Sequence, residues 1–229
     1  MGERVEFASD GSSSSGYLAI PASGHGPGVV VIQEWWGLVP HIEELVDWFA
    51  TQGFVALAPD LYGGDSTREP DEAGKLMMGL RIEQAAQDMQ AAVDALLARH
   101  EVVGSTVGVT GFCMGGGLAL LLGATSPQVR AVSAFYPAMP WADYQPEWSA
   151  YAGKVAAIHT SEGDGGSAAE PIREVAEAIG QAGGTVELFD YAGTQHAFVN
   201  DHRPEVFDAP SAQLALSRTV EEFRSALLS

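Results

Sequence analysis

One cysteine lies in a glycine-rich segment whose spacing suits a nucleophile. Residues 111–115 read Gly-Phe-Cys-Met-Gly, between the β-branched run Thr106–Thr110 and the apolar stretch Met114–Gly123. A strand, a Gly-x-Cys-x-Gly turn and a helix in this order match the nucleophile-elbow pattern, with cysteine in place of serine. The glycines are needed because so sharp a turn admits only small residues two positions before and after the nucleophile. Thiols at helix N-termini gain thiolate character. The alternative is an inert, buried Cys113 on a glycine-rich turn.

A thiol nucleophile needs a base that a third group orients. Such sites on α/β sheets place the nucleophile first, the acid second and the histidine last. Of the six histidines, His196 lies just after the last predicted strand, Thr185–Asp190, and before the final helix, while His202 lies further on in a polar loop. Asp164 follows the strand Val155–Thr160 and would accept the His196 N–H. Glu162 is the competing acid, and either carboxylate could instead be a turn residue.

A further carboxylate, Glu34, follows the continuous apolar run Val29–Ile32. A carboxylate within such an apolar segment loses hydration unless it finds a partner. It is either a functional group or a structural, ion-paired glutamate. In α/β-hydrolases this loop also supplies one oxyanion-hole amide, and the residue after the nucleophile supplies the other. We therefore expect the backbone N–H groups of Trp35 and Met114 to fill that role.

Strands and helices alternate along the chain. This order predicts an α/β fold with a mostly parallel central sheet and helices on both faces, in one domain over residues 1–229. Ligands bind such sheets at the carboxyl ends of the strands. The predicted strands are Val5–Ala8, Tyr17–Ile20, Val29–Ile32, Phe54–Ala58, Thr106–Thr110, Val129–Phe135, Val155–Thr160 and Thr185–Asp190. The predicted helices are Pro40–Thr51, Glu83–Ala98, Met114–Gly123, Glu170–Ala182 and Ala209–Leu228. Asp10–Gly16 is expected to be a hairpin loop, and a loop-rich stretch is expected from Pro59 to about Gly74.

Composition excludes several classes of function. The 229 residues carry 11 Lys plus Arg against 30 Asp plus Glu, a formal charge of −19, which argues against nucleic-acid and anionic-membrane partners. One cysteine excludes an intrachain disulfide and multi-cysteine metal sites. No apolar segment is long enough for a signal peptide or a membrane span. We expect a cytoplasmic protein, a monomer or small homo-oligomer, that uses no metal or organic cofactor.

Five segments in order resemble the dienelactone hydrolase (carboxymethylenebutenolidase) family of α/β-hydrolases. They are residues 33–37 (Gln-Glu-Trp-Trp-Gly), 58–62 (Ala-Pro-Asp-Leu-Tyr), 111–116 (Gly-Phe-Cys-Met-Gly-Gly), 163–164 (Gly-Asp) and 193–198 (Gly-Thr-Gln-His-Ala-Phe). The resemblance implies an ester or lactone hydrolase with a Cys113-His196-Asp164 triad. It also implies that Glu34 pairs with the resting thiol and deprotonates it when substrate binds.

The resemblance also bears on the substrate. Family members that act on dienelactone hold its carboxylate with arginines, and here one of those positions is Asn200. The other position lies in the loop after residues 60–62, where Arg68 and Arg81 are the candidates, and Arg203 is a possible substitute for the arginine replaced by Asn200. Apolar contacts would come from Trp36, Tyr136 and Phe198, although buried aromatic residues are more often core. A different ester or lactone fits as well as dienelactone does.

A second function comes from another class of protein. An activated, accessible thiol is also what peroxides oxidise, so a thiol-based redox sensor or a ligand-binding protein on a degenerate hydrolase fold is the alternative. The sequence offers no second cysteine to resolve an oxidised Cys113 within the chain, which weakens that hypothesis.

Overall fold

The strands within the described part of the chain form one eight-stranded, mostly parallel sheet. The computed structural model describes residues 1–9, 12–139 and 146–228. The strands are β1 (Glu3–Ser9), β2 (Ser12–Ala19), β3 (Gly26–Ile32), β4 (Val55–Pro59), β5 (Val102–Phe112), β6 (Val129–Phe135), β7 (Val155–Ser161) and β8 (Thr185–Tyr191). Their order is β1-β2-β4-β3-β5-β6-β7-β8. Only the β1–β2 and β2–β4 pairs are antiparallel.

Helices cover both faces of this sheet, as the alternating pattern predicts. They are α1 (Pro40–Thr51), α2 (Pro70–Gly79), α3 (Ile82–Leu97), α4 (Met114–Thr125), α5 (Glu170–Gln181) and α6 (Ala209–Leu227). The apolar sides of α3, α4 and α5 pack into one core, and those of α1 and α6 pack into the other. The α/β-hydrolase architecture expected from the sequence is confirmed. No helix in the described ranges is both long and apolar enough to traverse a bilayer.

The central strand β3 explains why the two cores are separate. Its side chains alternate, so that Val29 and Val31 enter the core under α1 and α6, while Val30 and Ile32 enter the other. All four are fully buried, as a continuous apolar run predicts for a strand covered on both faces. The strand is therefore fixed from both sides just before it delivers Glu34.

The predicted hairpin loop is wrong for the residues that the structure describes. Asp10 and Gly11 lie outside them, but β2 begins at Ser12, whereas the sequence predicts a strand over Tyr17–Ile20. Residues 12–15 are all serines, and they pair with β1 through their backbones in the register Ser9 to Ser12. The Ser14 hydroxyl donates to Asp88 Oδ1 at 2.7 Å. Backbone pairing thus overrides the low strand propensity of serine.

The stretch from Pro59 to about Gly74 is also not loop throughout. Helix α2 begins at Pro70, with Asp71 and Glu72 in its first turn. Proline at the first helical position and acidic residues beside the positive helix end are standard start signals. The helix buries only Ala73, so it lacks the apolar stripe by which helices are recognised in a sequence.

Candidate active site

Cys113 is the single residue between the end of β5 and the start of α4, where the chain turns sharply. Its φ is 56° and its ψ is −119°, a conformation that costs a non-glycine residue about 1–3 kcal/mol. Its amide donates to the Phe135 carbonyl at 3.0 Å, and its carbonyl accepts from the Ala138 amide at 2.9 Å. A β-carbon at Gly115 would collide with the carbonyls of Ile32 and Gln33. The neighbouring strands therefore hold the strained turn in place.

His196 and Asp164 are joined by a hydrogen bond. The His196 Nδ1 lies 2.8 Å from Asp164 Oδ2, which also accepts from the Ser161 hydroxyl at 2.6 Å. The competing acid, Glu162, instead accepts the Gly193 amide at 2.6 Å. Geometry thus gives Glu162 the role of tying two loops together and brings Asp164 to the histidine.

The electrostatics of the pair agree with that geometry. Burial would raise the pKa of Asp164, but its hydrogen bonds from His196 and Ser161 outweigh burial and lower the pKa. Burial would lower the pKa of His196, but hydrogen bonds to Asp164 and to Cys113 raise it to about 10. The ring therefore links the thiol on one side with the carboxylate on the other, in an arrangement that favours the imidazolium.

Backbone strain is concentrated around this ring. Within the described ranges, the non-glycine residues with positive φ are Cys113, Tyr136 (35°) and Ala197 (67°). Tyr136 packs its ring 5.0 Å from that of His196, and Ala197 is the next residue along the chain. Strained backbone that persists at three points of one site needs support from its surroundings, and such strain clusters at functional sites.

Glu34 is buried at the carboxyl end of β3. It is only 1% exposed, and its Oε2 accepts from Asn200 Nδ2 at 2.8 Å. Its Oε1 is buried and, within the described part of the chain, has no hydrogen-bond partner. Burial raises the pKa of this carboxyl to about 6, against the Asn200 hydrogen bond and the charges of His196 and Arg203, which lower it. The pKa of Glu34 therefore lies at about 6.

Replacing this carboxyl is expected to change how stability depends on pH. Because the pKa of Glu34 rises from 4.5 to about 6 on folding, the native state binds more protons between these values, and stability falls as pH rises through them. We expect the free energy of unfolding of Glu34→Gln, relative to wild type, to increase by about 2 kcal/mol from pH 4.5 to pH 8. Urea unfolding across that range measures it.

Glu174→Gln is the matched control, since Glu174 is an exposed carboxyl on α5. Its stability difference from wild type is expected to stay constant with pH. A Glu34→Gln difference that is equally flat would contradict the burial argument.

The predicted oxyanion-hole residues occupy the expected positions in the chain. Met114 is the first residue of α4, and the first amides of a helix have no partner within it. Trp35 follows Glu34 in the loop between β3 and α1, half-buried, with its ring 4.8 Å from that of Trp36. Their role in binding an oxyanion stays a prediction.

The five predicted substrate-binding residues lie in different places. Trp36 and Arg203 line a cavity of about 450 Å³, together with Arg68, Asn200 and His202 among others. Tyr136 and Phe198 are buried with their rings 5.4 Å apart. Phe198 is completely buried, which favours a core role over substrate contact.

Arg81 is exposed at the junction of α2 and α3 and does not line this cavity. The structure therefore does not bring Arg81 to Arg203, whereas Arg68 lies on the same cavity as Arg203. Substrate contact by any of these residues stays a prediction.

Two contacts of the site went unrecognised in the sequence, although Asn200 was noted as the residue at one of the family's arginine positions. Ser161 supports Asp164, and its position directly after a strand end was a usable signal. Asn200 supports Glu34 from 166 residues away, and a contact at such a distance along the chain leaves no local pattern.

Comparison with known proteins agrees with this architecture. The family model described as "Dienelactone hydrolase family" matches residues 15–227. The chain belongs to the dienelactone hydrolase family. "Protein usf" of Aquifex pyrophilus is 36% identical, with 99% of this chain and all of that protein aligned. The "Putative carboxymethylenebutenolidase" of Aquifex aeolicus is 33% identical at the same coverage.

A solved structure supports the same assignment. The crystal structure of a "Putative Dienelactone Hydrolase" from Klebsiella pneumoniae is 25% identical in sequence and aligns with a TM-score of 0.78 over 97% of this chain and 98% of that chain. This member of the dienelactone hydrolase family is accordingly a carboxylic ester hydrolase.

Proposed function

We propose that the protein hydrolyses a small-molecule ester or lactone with Cys113 as its nucleophile. The observation that carries the proposal is the connected series of Cys113, His196 and Asp164 at the carboxyl ends of β5, β8 and β7. A nucleophile, a base within hydrogen-bond reach and a group that orients the base are the three parts that such catalysis needs. Cys113 is half-buried.

The first step is attack of the thiolate on the substrate carbonyl. Glu34 takes the thiol proton when substrate enters, as the family resemblance implies, and the resulting thiolate pairs with the His196 imidazolium, which the Asp164 hydrogen bond orients and stabilises. The raised pKa of His196 supports a thiolate–imidazolium pair. A new carbon–sulfur bond forms, and the carbonyl electrons move onto oxygen, where the amides of Trp35 and Met114 are the expected donors. One such donor typically contributes about 10²–10³ in rate.

The second step releases the products. The imidazolium of His196 gives its proton to the leaving alkoxide as the carbonyl re-forms and the carbon–oxygen bond breaks, leaving a thioester on Cys113. His196 then takes a proton from water, and the resulting hydroxide adds to the thioester carbonyl. The carbon–sulfur bond breaks as the carbonyl re-forms, which releases the acid product and leaves the thiolate on Cys113 beside the imidazolium. Opening a lactone would leave both products in one molecule.

Glu34 is proposed to regulate the thiol. Its pKa of about 6 lets it exist in both protonation states near neutral pH. Its carboxylate would take the thiol proton when substrate enters, as the family resemblance implies. Arg68 and Arg203 beside Trp36 offer positive charge for an acidic group on the substrate, despite the overall negative charge of the chain.

A substrate panel tests this function. Enol lactones and aryl esters are assayed with untreated enzyme and with enzyme alkylated by iodoacetamide. Because Cys113 is the only cysteine, a single added label identifies the modified residue by mass. We expect hydrolysis of at least one substrate and its loss after labelling. Turnover that survives complete labelling would contradict a cysteine nucleophile, and no turnover with any substrate would contradict the ester-hydrolase function.

A further inference from the structure

Asn200 and Glu34 form a buried pair between two loops of the site. Asn200 is 3% exposed and Glu34 is 1% exposed, and the Nδ2 to Oε2 distance is 2.8 Å. Asn200 lies in the segment that follows His196, whereas Glu34 follows β3. The hydrogen bond therefore connects the base-bearing loop to the carboxyl end of the central strand.

The orientation of the Asn200 amide is determined by its own contacts. Its Oδ1 accepts the His202 amide at 3.1 Å, so its NH₂ group must face Glu34. Its backbone amide donates to the Ala197 carbonyl at 2.9 Å, and its carbonyl accepts from the Arg203 amide at 3.0 Å. With three backbone hydrogen bonds holding it, Asn200 is a rigid donor to Glu34.

A neutral donor has a specific consequence for the carboxyl. An amide N–H can bond to Glu34 Oε2 whether the group is ionised or protonated, whereas a cation at the same place would strongly favour the ionised form. Glu34 Oε1, which has no hydrogen-bond partner among the residues that the structure describes, is then the oxygen that carries the proton. The charged and titratable groups that act on this pocket are His196, Arg203, Tyr136 and Cys113.

We propose that Asn200 is a positioning residue whose neutral amide holds the Glu34 carboxyl in one place in both protonation states. Glu34 can then give or take a proton at Oε1 without a change of side-chain position. This inference rests on the proposed function, because it assigns a regulator to the carboxyl that is proposed to act on the thiol. It predicts that the charge at position 200 controls the titration of Glu34.

Substitutions of opposite charge test the proposal. Asn200→Asp has nearly the same shape and places a second carboxyl beside Glu34, which raises the pKa of Glu34. The acid limb of the pH profile of kcat/KM is therefore expected to move up by at least about one pH unit. Asn200→Arg, whose longer side chain can extend into the adjoining cavity, is expected to move the limb down. A merely structural role would lower activity without shifts of opposite sign.

Two backgrounds make the result specific. In Glu34→Gln, the Asn200→Asp substitution is expected to leave the acid limb where it is. Asp201→Asn changes the exposed neighbour and is expected to leave the profile of the otherwise wild-type enzyme unchanged. If Asn200→Asp does not fold, Asn200→Leu removes the donor at similar volume and is expected to shift the limb in the same upward direction.

Carbon-13 NMR of the Glu34 carboxyl separates this inference from the proposed function. It is expected to titrate near pH 6 in the wild type, higher in Asn200→Asp and lower in Asn200→Arg. These shifts without any ester hydrolysis would overturn the proposed function and leave the pairing intact. Active variants whose acid limb and NMR titration both stay at the wild-type position would overturn the inference.

Discussion

Cys113→Ala is expected to lower kcat/KM for ester hydrolysis by about 10⁴-fold or more, since removal of a covalent nucleophile removes the whole reaction path that depends on it. The half-buried thiol is small, so the fold is expected to stay intact. Steady-state kinetics with the best substrate of the panel, together with a thermal unfolding scan, measure both quantities.

Cys113→Ser is the companion variant. It keeps an oxygen nucleophile in the same turn but removes the more easily ionised thiol, and we expect intermediate activity, above that of Cys113→Ala. Full hydrolysis by a folded Cys113→Ala protein would refute the mechanism. Rapid formation of a sulfenic acid at Cys113 in a protein that hydrolyses no ester would instead favour the redox-sensor hypothesis.

Asp164→Asn is expected to lower kcat by about 10²–10⁴-fold. The amide would no longer accept the His196 N–H as a carboxylate does, so the ring tautomer and the stabilisation of the imidazolium would both be lost. The variant keeps the size of the side chain, and the Ser161 hydroxyl still has an oxygen to bond. Steady-state measurement of kcat for Asp164→Asn and for wild type at neutral pH tests this expectation.

Glu162→Gln is the matched control for Asp164→Asn. Its carboxylate lies two residues away and accepts the Gly193 amide, a bond that the glutamine oxygen can also accept. We expect its kcat to stay within about threefold of wild type, because a neutral side chain of the same shape on an exposed turn disturbs the surrounding structure little. Equal losses in the two variants would mean that Asp164 has no special role in orienting His196.

Local sequence patterns predicted much of the fold and of the site. The turn around Cys113 needs glycines two positions before and after the cysteine. The pattern therefore lies within five residues and can be recognised without knowledge of the fold. His196 and Asp164 were found because chain order along a parallel sheet fixes which strand ends meet. Their hydrogen bond in the structure is a consequence of that topology.

Other features had no such local signal. Asn200 contacts Glu34 across 166 residues, and only the three-dimensional arrangement brings the two loops together. Residues 12–15 pair as a strand because β1 lies beside them, although a run of serines favours a loop. Arg81 was considered a substrate residue because the family resemblance places an arginine in the loop after residues 60–62, and the sequence does not fix which residue of that loop occupies the position.

Trapping the acyl-enzyme tests the central claim most directly. The enzyme is mixed with an excess of an activated aryl ester, quenched in acid within the first turnover, digested and examined by mass spectrometry. The mechanism predicts a burst of phenol and one acyl group on the peptide that contains Cys113. An acyl group found on any other residue, with Cys113 unmodified, would contradict it.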